Sequence, residues 1–134
     1  MTPAPDGFGR TPRGGRAPSR RTGTAMAAEA ATFALASAAH LAASFTDAAV
    51  PELLIAAVLG LGSLAVVSLR PYAWGAAVGT TSFATLGTIV GLTIIATGRQ
   101  DTPDLAYHAT ILAALAATLV ALWRRRDAAM RPTA

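Results

Sequence analysis

From residue 25 onward the chain reads as four long apolar runs separated by short polar breaks. A helix rises about 1.5 Å per residue, so a run must reach roughly 20 residues to cross the hydrocarbon of a bilayer. The first run, 25–45, is mostly Ala with Phe33, Leu35, Leu41 and Phe45, and it contains Glu29 and His40. Glu29 is expected near the inner end of that run, within reach of the interface. The second, 51–69, is rich in Leu, Val and Ile, opens on Pro51 and closes before Arg70-Pro71. Proline is tolerated at a first-turn position because its missing N–H has no partner there in any case. The third run, 72–97, is long enough to span with tilt and stops at Gly98, a frequent helix terminator. The fourth, 103–123, follows Thr102, a capping residue, and begins Pro103-Asp104, a proline with an acid suited to the helix dipole. It ends at Trp123 followed by Arg124, Arg125 and Arg126, an interfacial aromatic and then a basic anchor. The pattern predicts an all-α, four-helix transmembrane bundle.

The flanks differ in kind. Residues 1–24 carry five Arg (Arg10, Arg13, Arg16, Arg20 and Arg21) with most of the prolines, and Phe8 is their only large apolar side chain. Such a stretch buries too little surface to offset its ordering entropy, so a disordered basic arm is expected. It reads as a charged flank that sets topology, as an arm drawn to anionic headgroups, or as an over-extended start with Met26 as the true initiator. Residues 124–134 read as a basic cytoplasmic tail. Ser19-Arg20-Arg21-Thr22 and the later Ala36-Ser37-Ala38 also resemble a twin-arginine export signal with its cleavage site. Gly23, Thr24 and Glu29 interrupt that pattern, and three further spans follow it.

Composition narrows the class. Apolar residues make up 53% of the chain and charged ones 13%, and between 50 and 97 the only ionisable side chains are Glu52, Arg70 and Tyr72. A water-soluble domain could not cover its surface with so few polar groups. The absence of cysteine excludes disulfides, thiolate metal sites and cysteine nucleophiles. All basic residues are Arg and none is Lys, which with the heavy Ala content suggests a GC-rich bacterial gene. The Arg residues cluster at the ends of apolar runs, where membrane topology accounts for them and nucleic-acid binding is not needed. With the N-terminus inside, ten of the eleven Arg fall on the cytoplasmic side and Arg99 alone outside. The positive-inside rule therefore places both termini in the cytoplasm, in the inner membrane of a bacterium.

Two constellations could carry function. Gly75, Gly79, Gly87 and Gly91 fall in one i, i+4 series on the third helix, a small-xxx-small pattern expected to pack closely against another helix of the chain or a second copy. Thr80, Thr81, Ser82, Thr85, Thr88, Thr93 and Thr97 add hydroxyls that can bond back one turn or across to a neighbour. The second constellation is His40 and His108, which topology puts at similar depth near the outer side. Asp47 lies seven residues from His40, Asp104 one turn before His108, and Tyr107 beside it. The pair could ligate a haem iron or, with a carboxylate, a metal; it could carry protons; or it could tie helices together by hydrogen bonds.

Gly87-Thr88-Ile89-Val90-Gly91-Leu92, Gly98, and Thr102-Pro103-Asp104-Leu105-Ala106-Tyr107-His108 resemble the third and fourth helices of small, uncharacterised four-helix bacterial membrane proteins. Those enter the last helix through a similar Pro-Asp-x-x-Tyr-His. The resemblance covers the last half of the chain; it implies four spans, directs attention to Tyr107 and His108, and implies no activity. No phosphate loop, serine-hydrolase elbow or metalloprotease helix is present. The expectation is a non-enzymatic integral membrane protein without a cofactor, acting through helix contacts as a homo-oligomer or a subunit of a membrane complex.

Overall fold

The computed structural model describes residues 18–98 and 102–130, with side chains through Arg126. It contains four helices: α1 (Arg20–Ala42), α2 (Thr46–Val67), α3 (Ala73–Thr97) and α4 (Thr102–Met130). Each is long and apolar enough to cross a membrane, and the protein is an all-α transmembrane bundle. The helices pack in cyclic order, α1 on α2, α2 on α3, α3 on α4 and α4 back on α1. Of these four neighbouring pairs, α1–α2 is the most extensive and α1–α4 the sparsest. Leucine tails on lipid-facing positions such as Leu35, Leu61 and Leu86 stay exposed, as expected where the solvent is as apolar as the side chain. Met26, Phe33, Leu59, Val66, Leu115 and Leu122 fill the interior.

Several boundaries differ from those the pattern predicts. Helix α1 starts at Arg20, within the expected arm, because Ser19 caps it: its hydroxyl accepts the Thr22 N–H at 3.3 Å. The arm over residues 1–17 lies outside the described residues, as do Arg99, Asp101 and residues 131–134. Helix α2 starts at Thr46, so Pro51 sits inside it and not at its first turn. The ring faces outward, and it costs α2 the bond its N–H would have made to the carbonyl of Asp47. Helix α4 runs through Arg124–Arg126 to Met130, into the expected tail, since Arg is a good helix former. The Arg126 guanidinium lies 5.2 Å from the Trp74 ring and 5.1 Å from the Trp123 ring. That cation–π stack ties the end of α4 to the start of α3.

The α1–α2 and α2–α3 corners use one device. After α1, Phe45 N–H bonds to His40 O at 2.7 Å and Ser44 N–H to Leu41 O at 3.0 Å, with Ser44 at φ 61. After α2, Arg70 N–H bonds to Ala65 O and Leu69 N–H to Val66 O, with Leu69 at φ 51. Both are Schellman endings with a side chain where glycine is usual. Each satisfies the last carbonyls within three residues, which keeps neighbouring helices antiparallel and close.

Close helix approach is set by four glycines. An added Cβ would strike Val67 at 2.8 Å from Gly23, Ile55 at 2.7 Å from Gly87 and His108 at 3.1 Å from Gly91, and at Gly62 it would collide with Thr80 and Met26. Only Gly87 and Gly91 belong to the predicted stripe. At Gly75 and Gly79 a Cβ would meet nothing within 4 Å, so the stripe is divided between an inward half and an open half.

Candidate functional site

The end of the bundle where α1 finishes and α4 begins holds a chain of alternating carboxylates and imidazoles. Its first link joins α2 to α1: His40 Nδ1 is 2.7 Å from Glu52 Oε2. In the second, His40 Nε2 lies 3.9 Å from Asp104 Oδ1 on α4. The third is within α4, where His108 Nδ1 is 3.1 Å from the same Asp104 oxygen and 3.0 Å from the Asp104 carbonyl. His108 Nε2 in turn faces Gly91, so its ring packs against α3. Four residues thus touch all four helices. Helical spacing explains the local part, since Asp104 and His108 are one turn apart on one face, while the other links depend on the packing of α1 against α2 and α4.

The hydrogens can be placed by what each acceptor allows. A carbonyl oxygen only accepts, so His108 Nδ1 carries a hydrogen and donates to Asp104. Likewise His40 Nδ1 donates to the Glu52 carboxylate. A neutral His40 then turns its Nε2 lone pair toward Asp104, and protonation there would convert that approach into an ion pair. Glu52 is 5% exposed and His108 6%, and Glu52 Oε1 has no hydrogen-bond partner. Charge in this end of the bundle is therefore held by few bonds.

Among the expected site residues, His40, His108 and Asp104 come together, with Tyr107 edge-on to His108 at 5.1 Å between ring centroids and to Phe33 at 6.3 Å. Asp47 does not join them; it is exposed in the first turn of α2. Its place as the acid beside His40 is taken by Glu52, one and a half turns further along α2. Glu52 is missed by sequence because the seven-residue spacing rule relates residues on one helix, whereas this pairing crosses a corner. Both imidazoles address Asp104 Oδ1, His40 through Nε2 and His108 through Nδ1. Among the described residues no group of three or more His, Asp or Glu side chains is arranged to hold a metal.

A second polar group lies deeper. Glu29, expected at the interface, is 6% exposed and accepts a hydrogen bond from Thr118 Oγ1 of α4 at 2.7 Å, while its Oε2 has no partner. Elsewhere most interior hydroxyls are spent within the chain, Thr81 and Tyr107 excepted. Ser37 donates to Ala49 O and Ser63 to Gly23 O, each at 2.8 Å. Thr80, Thr85, Thr88, Thr93 and Thr97 all bond back one turn on α3. These five threonines therefore satisfy their own helix, while the buried Thr81 hydroxyl has no hydrogen-bond partner.

These features define a small integral membrane bundle of four helices with a polar cluster at one end. No protein-family model matches the chain, and no match is found among curated proteins or solved structures.

Proposed function

We propose that this chain is a non-enzymatic protein of the bacterial cytoplasmic membrane, both termini inside, that works through helix contacts with a second copy or another subunit. The observation that carries this reading is the bare strip on α3. Glycine inside a helix costs about 1 kcal/mol relative to alanine. At Gly87 and Gly91 close packing against Ile55 and His108 offsets that cost, whereas at Gly75 and Gly79 nothing among the described residues does. Phe83, next in the same series, is also exposed. A partner helix seated there would gain the close backbone approach that drives association in lipid. Orientation is supported by the Arg count and by Trp74, Trp123 and Arg126 gathered at one end, as interfacial anchors are.

The test compares two glycines of one series. Gly79→Leu should shift the reconstituted protein from oligomer to monomer by cross-linking and native mass spectrometry, with unfolding of the monomer changed by less than about 0.5 kcal/mol. Gly87→Leu should instead destabilise the monomer itself by about 1–3 kcal/mol, because Ile55 must move. A wild-type protein that is monomeric in lipid bilayers and indifferent to Gly79→Leu would remove the basis for the proposal.

A further inference from the structure

Among the described residues, every ionisable side chain that is buried or half-buried is one of six: Glu29, His40, Glu52, Asp104, Tyr107 and His108. Five of them lie on α1 and α4, the most sparsely packed of the four neighbouring helix pairs. Helix α3 contributes none. The polar groups of the interior are thus gathered along one seam, at two depths.

The deeper group is Glu29. It is the tenth residue of the 23-residue α1, about 15 Å along the helix from its start. One carboxylate oxygen is taken by Thr118 and the other is buried with no partner. No Arg or His among the described residues makes an ion pair with it, and no charged side chain of α2, α3 or α4 comes within bonding distance of it. An isolated carboxylate out of water is costly enough that it needs a counter-ion or a proton, and an ionisable group at membrane depth is by default a functional one. The shallower group is the Glu52–His40–Asp104–His108 chain, and the Tyr107 ring stands between it and Phe33, one turn along α1 from Glu29.

We propose that the α1–α4 seam holds a membrane-embedded proton-binding site at Glu29, with the Glu52–His40–Asp104–His108 chain as a separate polar group where α1 ends. A proton taken up from water forms an O–H bond at Glu29 Oε2, the oxygen without a partner, while Thr118 keeps its bond to Oε1. The sum is one proton bound and one buried negative charge neutralised. This site is independent of the α3 contact proposed above, and its readout is different.

Dicyclohexylcarbodiimide is a lipid-soluble probe that modifies carboxylic acids only in their protonated form. In vesicles of phosphatidylcholine and phosphatidylglycerol holding the intact protein, peptide mapping should find the adduct on Glu29. The yield should fall about tenfold for each unit by which pH is raised past the midpoint of that carboxyl. Glu29→Gln should abolish this adduct and remove one proton from the uptake measured on acidification. An adduct on Glu52 alone would overturn the proposal, because it shows the reagent in the bundle and Glu29 without a proton. Glu29 labelling indifferent to pH would overturn it as well. The wild-type map decides both points, so the test stands even where Glu29→Gln does not fold.

Discussion

At the scale of single residues, two kinds of local tension are visible. Leu69 holds a left-handed backbone at the α2–α3 corner with its side chain largely exposed, so it bears the steric cost of that conformation and gains little from burial. Leu69→Gly should therefore raise stability by about 1 kcal/mol in chemical unfolding. The opposite holds for the acid–imidazole contacts. Removing His40 leaves the buried Glu52 carboxylate without its 2.7 Å partner, and His40→Ala should cost about 2 kcal/mol. His108→Ala loses a contact to an Asp104 that keeps more access to water, and should cost about 1 kcal/mol. If the larger effect comes from the stranded acid, adding Glu52→Gln to His40→Ala will recover part of the loss in a double-mutant cycle. Equal costs for both histidines, with no recovery, would mean that Glu52 gains nothing from His40.

At the scale of helices, ends and faces decide more than propensity does. Helix α4 outruns its apolar stretch because Arg126 finds two indole faces at the start of α3. Arg126→Ala should therefore lower stability by about 0.5–1 kcal/mol and change the fluorescence of Trp123 and Trp74 together; emission unchanged at both rings, or changed at one alone, would disprove the stack. Helix α3 shows how one spacing can serve two ends. Its glycines repeat every four residues, yet the later pair faces Ile55 and His108 while the earlier pair is left bare. A repeat read along one helix cannot reveal where a neighbour departs from it. The same limit hid Gly23 and Gly62, which sit in no repeat and make the tight α1–α2–α3 contact.

At the scale of the whole molecule, topology follows from charge and packing from shape. Ten of the eleven Arg share one side if the N-terminus is cytoplasmic, so a cytoplasm-active reporter fused after Ala134 should be active. A reporter active only outside, placed in the loop between α3 and α4, should be active too. Silence of the first would require an odd number of spans. The bundle also places its polar interior unevenly, with ionisable groups along the α1–α4 seam and an α3 that carries none.

The number of spans, their approximate extent and the attention drawn to His40, His108, Asp104 and Tyr107 were legible in the sequence. Apolar length and the periodicity of a helix are local quantities, and in lipid every backbone group must bond within its own helix. The partners of those residues were not legible. That His40 binds Glu52 and not Asp47, that Glu29 is buried against Thr118, and that Gly75 and Gly79 stay open all depend on how four helices are rotated and tilted against one another. Rotation of a helix about its axis changes no local hydrophobicity in a chain apolar on every side. Only contacts between helices, set here by four small residues and a few interhelical hydrogen bonds, could decide it.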